Sequence, residues 1–424
     1  MLSREQNVML TKSGPGTPMG ELLRLYWFPA LLSSELPEPG GPPVRVKLLN
    51  EDLVAFRDEK GVVGIIDERC PHRGVSLYFG VNQGCGLQCA YHGWTFDTQG
   101  NCTDMPSEPP ESNFKSKVKI KSYSTIERGG VIWTYMGPED QEPPFPNLIW
   151  NTVDESQVFV TKRIQQSNFF QALEGGLDSS HISILHKGAF DYNVSGASDI
   201  KKFITNSAAP KYVVLETDFG ALMGAGRDAG EYGTYWRTTA FLMPFFQMVC
   251  PYSDEPRNGH VWVPIDDETC MNWCLNWHPT RALTEQEIEN FKKGLGIHTD
   301  LIPGTFYPVQ NKENDYLIDR GLQTSGKLFS GIKGVGTQDA AMQESQGAIF
   351  DRTNERLGLS DAAIIALRRM LLRAMADLEK GTYPASLQSN YHIVDAPAMV
   401  LPKNETFRTK IFEELKYGVP VKNQ

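Results

Sequence analysis

Two pairs of cysteine and histidine residues carry the strongest chemical signal in the sequence. Cys70 and His72 are separated by one residue, and Cys89 and His92, which follow after sixteen residues, are separated by two. Thiolate and imidazole groups bind metals, and the type and number of ligands indicate which centre a site holds. A structural zinc site also takes two thiolates and two imidazoles, but its cysteines commonly share one pair and its histidines the other. The mixed pairs therefore favour a different centre.

A Rieske [2Fe–2S] cluster requires mixed pairs, because one iron takes both thiolates and the other takes both imidazoles. Two loops that each carry one cysteine and one histidine meet this requirement. Glycines, which let the backbone approach inorganic sulfides closely, lie in or near both pairs: Gly74, Gly84, Gly86 and Gly93. Four of the seven cysteines fall between residues 70 and 102, and the N-terminus does not read as an export signal, which favours metal binding over disulfides.

In these pairs the sequence resembles the Rieske domain of the ring-hydroxylating oxygenases. The spacing of the four ligands matches that family's pattern, and the segment YHGW at residues 91–94 is similar to it as well. Respiratory Rieske proteins carry one more cysteine in each pair and join the two by a disulfide, whereas Val75 and Tyr91 stand at those places here. The resemblance implies a Rieske [2Fe–2S] cluster held by Cys70, His72, Cys89 and His92.

A second group of candidate ligands lies in the segment EGGLDSSHISILH. His181 and His186 are five residues apart, and Asp178 precedes the first of them by three. A spacing of three places Asp178 and His181 on one face of a helix, whereas a spacing of five turns His186 about 140° away from that face. The sequence therefore predicts that the helix, already weakened by Gly175 and Gly176, loosens or ends between the two histidines.

A third ligand is expected from a distant part of the chain. Asp339 opens a predicted helix after the glycine-rich run GVG, and Glu344 and Asp351 on the same helix compete with it as ligands. The alternative interpretation of Asp339 is an acid at a helix N-terminus, stabilised by the helix dipole. Two histidines and one carboxylate on one side of a ferrous ion leave positions open for O2 and substrate, as in non-haem iron oxygenases.

The chain also resembles the phthalate dioxygenase branch of the oxygenase family. The similarity runs from GPGTPMGELLRLYWFPALLSSELPEP near the start to DRTNERLGLSDAAIIALRRML near the end. It implies that a D-x2-H-x4-H motif supplies Asp178, His181 and His186, and that Asp339 completes an Fe(II) site. It also implies a homotrimer, or a hexamer of two trimers, in which Asp178 joins His181 to the partner subunit's His92 by hydrogen bonds.

The elements that must position these residues fall into two unequal parts. The 424 residues exceed the roughly 100–200 residues of one typical domain. Short β-branched runs between residues 44 and 66 and at 129–138 predict a small antiparallel domain, which the acidic, proline-rich segment at 139–147 ends. We expect an α+β fold made of an N-terminal arm at residues 1–25, a Rieske domain at 26–140, and a larger α+β catalytic domain of helix-grip type at 141–424.

The larger part mixes strands with helices. Several β-like runs occur between residues 211 and 279. Helical patterns cover three segments: 165–186, 339–358 and 360–381. In the last of them, Ser360 is the predicted N-cap and Gly381 the predicted C-terminal stop.

The charge and hydrophobicity of the sequence exclude some classes of partner. The net charge is -10, with 41 Lys and Arg against 51 Asp and Glu, and no basic block offers a surface for nucleic acid. No stretch approaches the roughly 20 apolar residues that span a bilayer. We therefore expect a cytoplasmic protein that binds neither nucleic acid nor membrane.

Together these features predict the terminal oxygenase component of a Rieske non-haem iron aromatic oxygenase. The resemblance implies that a separate flavin and iron–sulfur reductase passes electrons from NADH to the Rieske cluster, and that O2 is activated at the mononuclear iron. Phthalate-type enzymes dihydroxylate aromatic carboxylates, and a buried carboxylate calls for arginine, for which Arg227 and Arg237 are candidates. Structural or surface pairing is the alternative role of both arginines.

Three other functions remain open on the sequence alone. An O-demethylating monooxygenase for lignin-derived methoxy aromatics would use the same iron site. A Rieske electron carrier would hold one cluster and would show no substrate-dependent O2 consumption. A zinc-binding interaction protein would lack the red-brown colour of a Rieske cluster.

Overall fold

The computed structural model describes residues 1–189, 202–204, 207–251, 254–388 and 394–415. Their strands pair antiparallel in three sheets, two formed before residue 136 and a larger one after residue 157. Among these residues, no helix has both the length and the apolar composition needed to cross a membrane. All seven cysteines have free thiols.

The first part of the chain forms a six-stranded sheet and a four-stranded sheet. Its strands are β1 (Trp27–Leu32), β2 (Val44–Leu48), β3 (Glu51–Arg57), β4 (Val63–Asp67), β5 (Val81–Gln83), β6 (Gly86–Gln88), β7 (Thr95–Phe96), β8 (Cys102–Asp104), β9 (Ser122–Arg128) and β10 (Val131–Tyr135). The strand orders are β1-β10-β9-β4-β3-β2 and β5-β6-β7-β8. The strands predicted between residues 44 and 66 and at 129–138 are confirmed.

The second part is built on an eight-stranded sheet. Its strands are β11 (Val158–Gln165), β12 (Lys211–Thr217), β13 (Gly220–Asp228), β14 (Thr234–Leu242), β15 (Phe246–Val249), β16 (Arg257–Pro264), β17 (Cys270–Trp277) and β18 (Ala398–Leu401). Their order is β11-β17-β16-β15-β14-β13-β12, and β18 pairs with the N-terminal half of β14. Alternation along β17 shows why it forms a strand: Trp273, Leu275 and Trp277 are buried on one face, and Asn272 and Asn276 point to the other.

Two helices form the N-terminal segment, and the other helices belong to the second part of the chain. They are α1 (Arg4–Thr11), α2 (Pro18–Arg24), α3 (Phe169–Leu177), α4 (Ile182–Leu185), α5 (Glu285–Lys292), α6 (Arg320–Thr324), α7 (Val335–Glu344), α8 (Ala362–Glu379) and α9 (Phe407–Glu414). Helix α3 packs against β15, β16 and α7. Helix α8 packs against α1, α2, α3 and β12, so the N-terminal segment lies against the second part of the chain.

Two helix predictions need correction. The helix predicted at 360–381 exists as α8 and is followed by Gly381 at a φ of +80°, but its N-cap is Asp361 instead of Ser360. The helix predicted at 339–358 is wrong in its extent, since α7 begins at Val335 and ends at Glu344. Its pattern stops being helical where Gly347 takes a φ of +90°.

Hydrogen bonds of two asparagine side chains connect the first part of the chain to the start of α3. Asn50, in the β2–β3 turn, donates from its side-chain amide to Asp267, and its backbone N–H donates to Ile265. Asn168 donates to the carbonyls of Asp267 and Thr11, and its side-chain oxygen caps α3 by accepting from the N–H of Phe170. One cluster of hydrogen bonds thus fixes the start of the helix that leads to the candidate site.

Candidate active site and metal centres

The two cysteine and histidine pairs lie on two loops with the same hydrogen-bonded turn. In one loop the N–H of Gly74 donates to the carbonyl of Cys70 at 2.8 Å, and in the other that of Gly93 donates to Cys89 at 3.0 Å. Both glycines have a positive φ, +73° and +76°, which side chains rarely tolerate. The loops connect β4 to β5 and β6 to β7, so the small antiparallel sheet holds both pairs.

The four side chains are grouped by type, as a Rieske cluster needs. The rings of His72 and His92 lie 4.5 Å apart between centroids, and both are half-buried. The thiols of Cys70 and Cys89 are buried and lie close enough to interact with each other. His72 also stacks on Trp94 at 4.4 Å, which fixes the plane of its ring. Two adjacent thiols and two adjacent imidazoles fit one iron each of a [2Fe–2S] cluster.

A second group of ligand atoms converges in the larger part of the chain. One ligand atom each from His181, His186 and Asp339 lie within 4.8 Å of one another. The Asp339 carboxylate is 3.4 Å from Nε2 of His181 and 3.3 Å from Nε2 of His186. The histidines flank α4, and Asp339 lies in the middle of α7. Two imidazoles and one carboxylate at these distances can hold one divalent metal ion.

The helix break that allows this convergence lies earlier than the sequence predicted. Helix α3 ends at Leu177, and Asp178 is extended with a ψ of 124°, so Asp178 and His181 do not share a helix face. Oxygen atoms of Asp178 instead accept from the N–H groups of Ser180 at 2.7 Å and His181 at 3.2 Å, which starts a new turn. The break therefore comes before His181, and α4 occupies the interval between the histidines.

Each histidine is oriented by a partner at its other ring nitrogen. Nδ1 of His181 donates to Asp178 at 3.0 Å, and Nδ1 of His186 donates to Oε1 of Gln338 at 2.7 Å. The amide nitrogen of Gln338 donates to the carbonyl of Ile332 at 2.7 Å, which sets the orientation of that amide. With Nδ1 engaged in this way, the neutral form of each ring leaves Nε2 free on the side of Asp339, and this is the form that binds a metal.

The charges of the site suit a cation. Burial alone would raise the pKa of Asp178 and Asp339, but hydrogen bonds and charge interactions with the histidines hold both values below the usual range. Burial would lower the pKa of His181, yet its bonds to the two carboxylates raise that pKa to about 9. Two carboxylates that stay ionised give the site a negative potential.

Of the three carboxylates considered from the sequence, Asp339 lies beside the histidines. Glu344 accepts from the backbone of Gln166 at 3.0 Å and from the hydroxyl of Tyr316 at 2.7 Å. Asp351 is exposed and accepts from the hydroxyl of Thr353. Glu344 and Asp351 are therefore engaged away from the metal ligands.

Arg227 braces the backbone next to Asp178 and does not line the cavity at the metal ligands. It is buried, and its Nη2 donates to the carbonyl of Ser179 at 2.6 Å. The hydroxyl of Tyr212 accepts from the N–H of Ser179 at 2.9 Å and donates to Asp178 at 3.1 Å. This geometry gives Arg227 a positioning role, whereas Arg237 does line the cavity and donates to Thr239 at 3.3 Å.

Buried ion pairs connect helix α3 to the segments that follow α7. Glu174 accepts from Nη2 of Arg352 at 2.7 Å and from Nε of Arg368 at 2.6 Å. Arg368, on α8, also pairs with Glu355. Because each charge has an opposite partner, the network ties the last turn of α3, just before Asp178, to α8.

Gly175 and Gly176 allow α3 to approach its neighbours closely. A Cβ on Gly176 would lie 2.1 Å from Trp262, and a Cβ on Gly175 would lie 2.2 Å from Gln343. We expect Gly176→Ala to lower the free energy of unfolding by about 1–3 kcal/mol through overpacking. Denaturant unfolding measures this, and Gly358→Ala is the control, since its nearest neighbour would lie at 3.8 Å. Equal effects of the two substitutions would contradict the packing argument.

A cavity of about 450 Å³ opens at His181, His186 and Asp339. One wall is the polar face of the large sheet, which contributes Arg163, Arg237, Gln247, His260, Asn272 and Asn276. Ile182, Trp262 and Phe291 contribute apolar side chains to the lining, and Asp254, Glu255 and Glu287 contribute acidic ones. A cavity with apolar walls and a few polar groups is typical of a site for a small organic molecule.

Three residues of the site escaped the sequence analysis: Arg163, Tyr212 and Gln338. Gln338 precedes Asp339 directly, but nothing in its residue type indicates that its amide orients a histidine. Arg163 lies on strand β11, and the sequence did not indicate that its side chain is buried.

Two buried histidines beside the cavity stay neutral and make stability depend on pH. Burial and the charge of Arg163 lower the pKa of His260 to about 4, and burial, with smaller effects of His260 and Arg163, lowers that of His298 to about 3. An unfolded histidine takes up its proton near pH 6.5, so below that pH the unfolded state binds more protons and folding is disfavoured.

We therefore expect the free energy of unfolding to fall by about 2 kcal/mol for the two histidines between pH 6.5 and pH 5.5. Urea unfolding at both pH values measures the change. In His298→Gln the amide can still accept from Thr161 and donate to Asn276, as the ring does at 2.6 and 2.8 Å. This variant should lose about half of the acid sensitivity, and an unchanged pH dependence would contradict the assignment.

Comparisons with known proteins agree with the Rieske centre and with the catalytic domain that follows it. Residues 26–124 match the family model of the Rieske [2Fe-2S] domain. Residues 134–416 match the model described as LigXa C-terminal domain like, and this range contains His181, His186, Asp339 and the cavity beside them. The chain therefore contains a Rieske domain followed by an α+β catalytic domain, as the sequence predicted.

Curated relatives extend over most of the chain. It is 41% identical over 397 residues to the 3-chlorobenzoate-3,4-dioxygenase oxygenase subunit of Comamonas testosteroni, covering 91% of each chain. It is 39% identical to the phthalate 4,5-dioxygenase oxygenase subunit of Pseudomonas putida, covering 90% of this chain and 88% of that one. It is 32% identical to the 5,5'-dehydrodivanillate O-demethylase oxygenase subunit of a Sphingobium species, covering 99% and 91%.

A solved structure shows the same fold at lower identity. The fluorene-bound oxygenase and ferredoxin complex of carbazole 1,9a-dioxygenase contains a chain with a TM-score of 0.58 and 21% identity, covering 92% of this chain and 99% of that one. On the family models, the identities and the length of the matches, this chain belongs to the Rieske ring-hydroxylating oxygenase alpha subunits.

Proposed function

We propose that this oxygenase subunit hydroxylates an aromatic carboxylate at a mononuclear Fe(II) held by His181, His186 and Asp339. The observation that carries the proposal is a three-ligand group opening onto a cavity of about 450 Å³ that contains buried arginine. That volume falls within the roughly 300–1,000 Å³ of typical ligand pockets. When bound, the ferrous ion supplies the site at which O2 is activated with electrons from the Rieske cluster.

Residues of this chain orient the ligands and the substrate. Asp178 and Gln338 hold the two imidazoles in the metal-binding form. Trp262 and Phe291 provide apolar surface that excludes water beside an aromatic ring. Arg237, which is buried and reaches the cavity, is a candidate for binding a carboxylate.

The electrons would come from NADH through a separate flavin and iron–sulfur reductase. A Rieske cluster moves one electron at a time and needs such a donor, and both thiol ligands lie inside the domain while the imidazoles of His72 and His92 reach its surface. Because NADH is the proposed source, we place the reaction in the cytoplasm.

We also propose a homotrimer, alone or paired into a hexamer, in which Asp178 contacts the partner subunit's His92. Exposed aromatic side chains next to the cluster support an interface there, since Phe79 is 64% and Tyr91 53% exposed. Sedimentation of the purified protein tests the assembly. A monomer with full turnover would contradict it.

O-demethylation is the second candidate. The observation that favours it is the match of 99% of this chain to the dehydrodivanillate O-demethylase subunit. This reaction would use the same iron ligands and the same cavity. The carbon that is oxidised would be a methoxy carbon instead of a ring carbon.

A single turnover separates the two reactions. The protein is reduced chemically under argon and mixed with phthalate isomers, 3-chlorobenzoate and methoxybenzoates. O2 is then admitted and the products are identified by mass. A substrate that gains two oxygen and two hydrogen atoms supports ring dihydroxylation, whereas formaldehyde with a phenol supports demethylation. No O2-dependent product from any aromatic acid would contradict the proposed function.

A further inference from the structure

His260 presents one unused ring nitrogen to the cavity. It lies on β16, and its side chain lines the cavity although the residue is only 9% exposed. Its Nδ1 contacts Oδ1 of Asn272 at 3.0 Å. Its Nε2 has no hydrogen-bond partner among the described residues, and this atom is not enclosed by the protein. A ligand in the cavity can therefore reach Nε2.

The neighbours of His260 fix which ring nitrogen carries the proton. The thiol of Cys274 donates to the backbone carbonyl of Ile297 at 3.3 Å, so its sulfur can only accept at the 3.7 Å contact with Nδ1 of His260. The amide nitrogen of Asn272 donates to Gln165 at 3.4 Å, which leaves Oδ1 as the acceptor that faces Nδ1. Nδ1 is therefore the donor, and in the neutral ring Nε2 carries no proton.

The ring of His260 is neutral at physiological pH. Burial and the charge of Arg163 lower its pKa to about 4. A carboxylate could bind Nε2 only after that nitrogen takes up a proton, which at pH 7 is disfavoured by about 1,000-fold before the attraction between the charges is counted. A hydroxyl group needs no such step, because it donates to a lone pair that is already available. This nitrogen therefore selects hydrogen-bond donors.

Stacking fixes the orientation of the His260 ring. His260 and Trp262 lie on the same face of β16, with ring centroids 5.1 Å apart and ring planes 20° apart. Trp262 packs against Gly176, where a Cβ would lie 2.1 Å from the indole. Gly176 precedes Asp178 by two residues, and the charge of Asp339 acts on the ring of His260. Nε2 therefore lies on the part of the wall that is close to the residues proposed as metal ligands.

We propose that Nε2 of His260 accepts a hydrogen bond from a hydroxyl group on the ring of the aromatic substrate. This inference rests on the proposed function and narrows the substrate class to aromatic acids that carry a hydroxyl group. A phenolic hydroxyl donates a proton, whereas a fluoro or methoxy substituent at the same position cannot. The amides of Asn258 and Asn276 on this wall do not discriminate in this way, since each carries both a donor and an acceptor.

The test compares hydroxybenzoates with the corresponding fluorobenzoates, and each acid with its amide. Binding of the ortho, meta and para isomers to the holoprotein is measured by calorimetry for the wild type and for His260→Phe, which keeps a ring beside Trp262 and removes the acceptor. We expect at least one hydroxy isomer to bind the wild type more tightly than its fluoro counterpart. His260→Phe should weaken the binding of that isomer by about 5- to 100-fold and change that of the fluoro counterpart by less than about 3-fold.

Two further variants separate a substrate contact from structural support. In His260→Gln the side-chain oxygen can still accept from a hydroxyl, so part of the preference for the hydroxy isomer should remain. His298→Gln changes a buried histidine that does not line the cavity, and it should leave the preference unchanged. The content of both metal centres is measured in every variant, so that a general loss of folding is detected separately.

Three results would overturn the proposal. A wild type without preference for any hydroxy isomer would show that no acceptor binds the hydroxyl. Equal losses of hydroxy and fluoro isomers in His260→Phe would show that His260 only shapes the wall. A loss of acids relative to their amides would show that the ring binds the carboxylate instead. If His260→Phe does not fold, the wild-type preference and the same comparison in His260→Leu decide the question.

Turnover distinguishes a failure of this proposal from a failure of the proposed function. If O2-dependent products form from aromatic acids but no hydroxyl preference is found, only the role of His260 is wrong. If no aromatic acid gives such a product, the proposed function is contradicted, and the binding data then stand by themselves for or against the hydrogen bond to His260.

Discussion

Asp339→Asn is expected to abolish substrate oxidation while the Rieske cluster remains. The carboxylate lies 3.4 and 3.3 Å from the two histidine Nε2 atoms, and it is ionised because its pKa is held well below the usual range. An amide carries no charge and presents a donor on one side, so the site loses its anionic ligand. Metal analysis, the Rieske absorption spectrum and product formation in a single turnover measure the three parts of this result.

Glu344→Gln is the matched control for Asp339→Asn, because Glu344 lies on the same helix but contacts Tyr316 and the backbone of Gln166. We expect this control to keep both metal centres and measurable turnover. Full activity of Asp339→Asn would mean that another carboxylate serves as the ligand. Loss of the Rieske spectrum in Asp339→Asn would indicate general unfolding and would remove the support for a local effect.

Asp178→Asn is expected to lower turnover by roughly 10- to 100-fold. The Asp178 carboxylate accepts from Nδ1 of His181, from Tyr212 and from two backbone N–H groups, whereas an amide has only one oxygen to offer these donors. His181 would then lose either its orientation or the negative charge that raises its affinity for metal. The rate of Rieske oxidation after mixing with O2, measured with and without added Fe(II), reports the effect.

Tyr212→Phe is the milder comparison, since it removes one donor to Asp178 and leaves the charge in place. We expect it to lower turnover less than Asp178→Asn does. If excess Fe(II) restores the turnover of Asp178→Asn, the role of Asp178 is to raise the affinity of the site for metal. A rate that stays low at full iron content would assign it to electron transfer between the centres. Turnover of Asp178→Asn at the wild-type level would contradict both roles.

Local sequence was sufficient to predict the Rieske domain. The four residues predicted as its ligands fall within residues 70–92, and each turn is closed by a hydrogen bond between a cysteine and a glycine four residues later. Because both contacts and ligands are local, residue type and spacing carry the information. The same holds for α8, whose periodic pattern and following Gly381 predict a helix that the structure shows.

The helical pattern alone misplaced the ends of two helices. The segment at 339–358 continues in a helical pattern, but α7 ends at Glu344, three residues before Gly347 takes a positive φ. The break at Asp178 was also misplaced, because it depends on the Asp178 carboxylate accepting two backbone N–H groups. Gly175 and Gly176 indicated in the sequence that this helix is weak. The structure adds that they let the helix pack closely against Gln343 and Trp262.

By itself, the sequence determined the residue types that can bind two metal centres, the order of the two centres and the α+β character of the fold. Only the tertiary structure decided which arginines line the cavity. Arg227 braces the backbone at Ser179, while Arg163, which contacts a carbonyl 173 residues away, lies in the cavity lining. The reason is physical: a guanidinium has the same chemistry everywhere in the chain, and its role depends on which acceptors the fold leaves within reach once water is excluded.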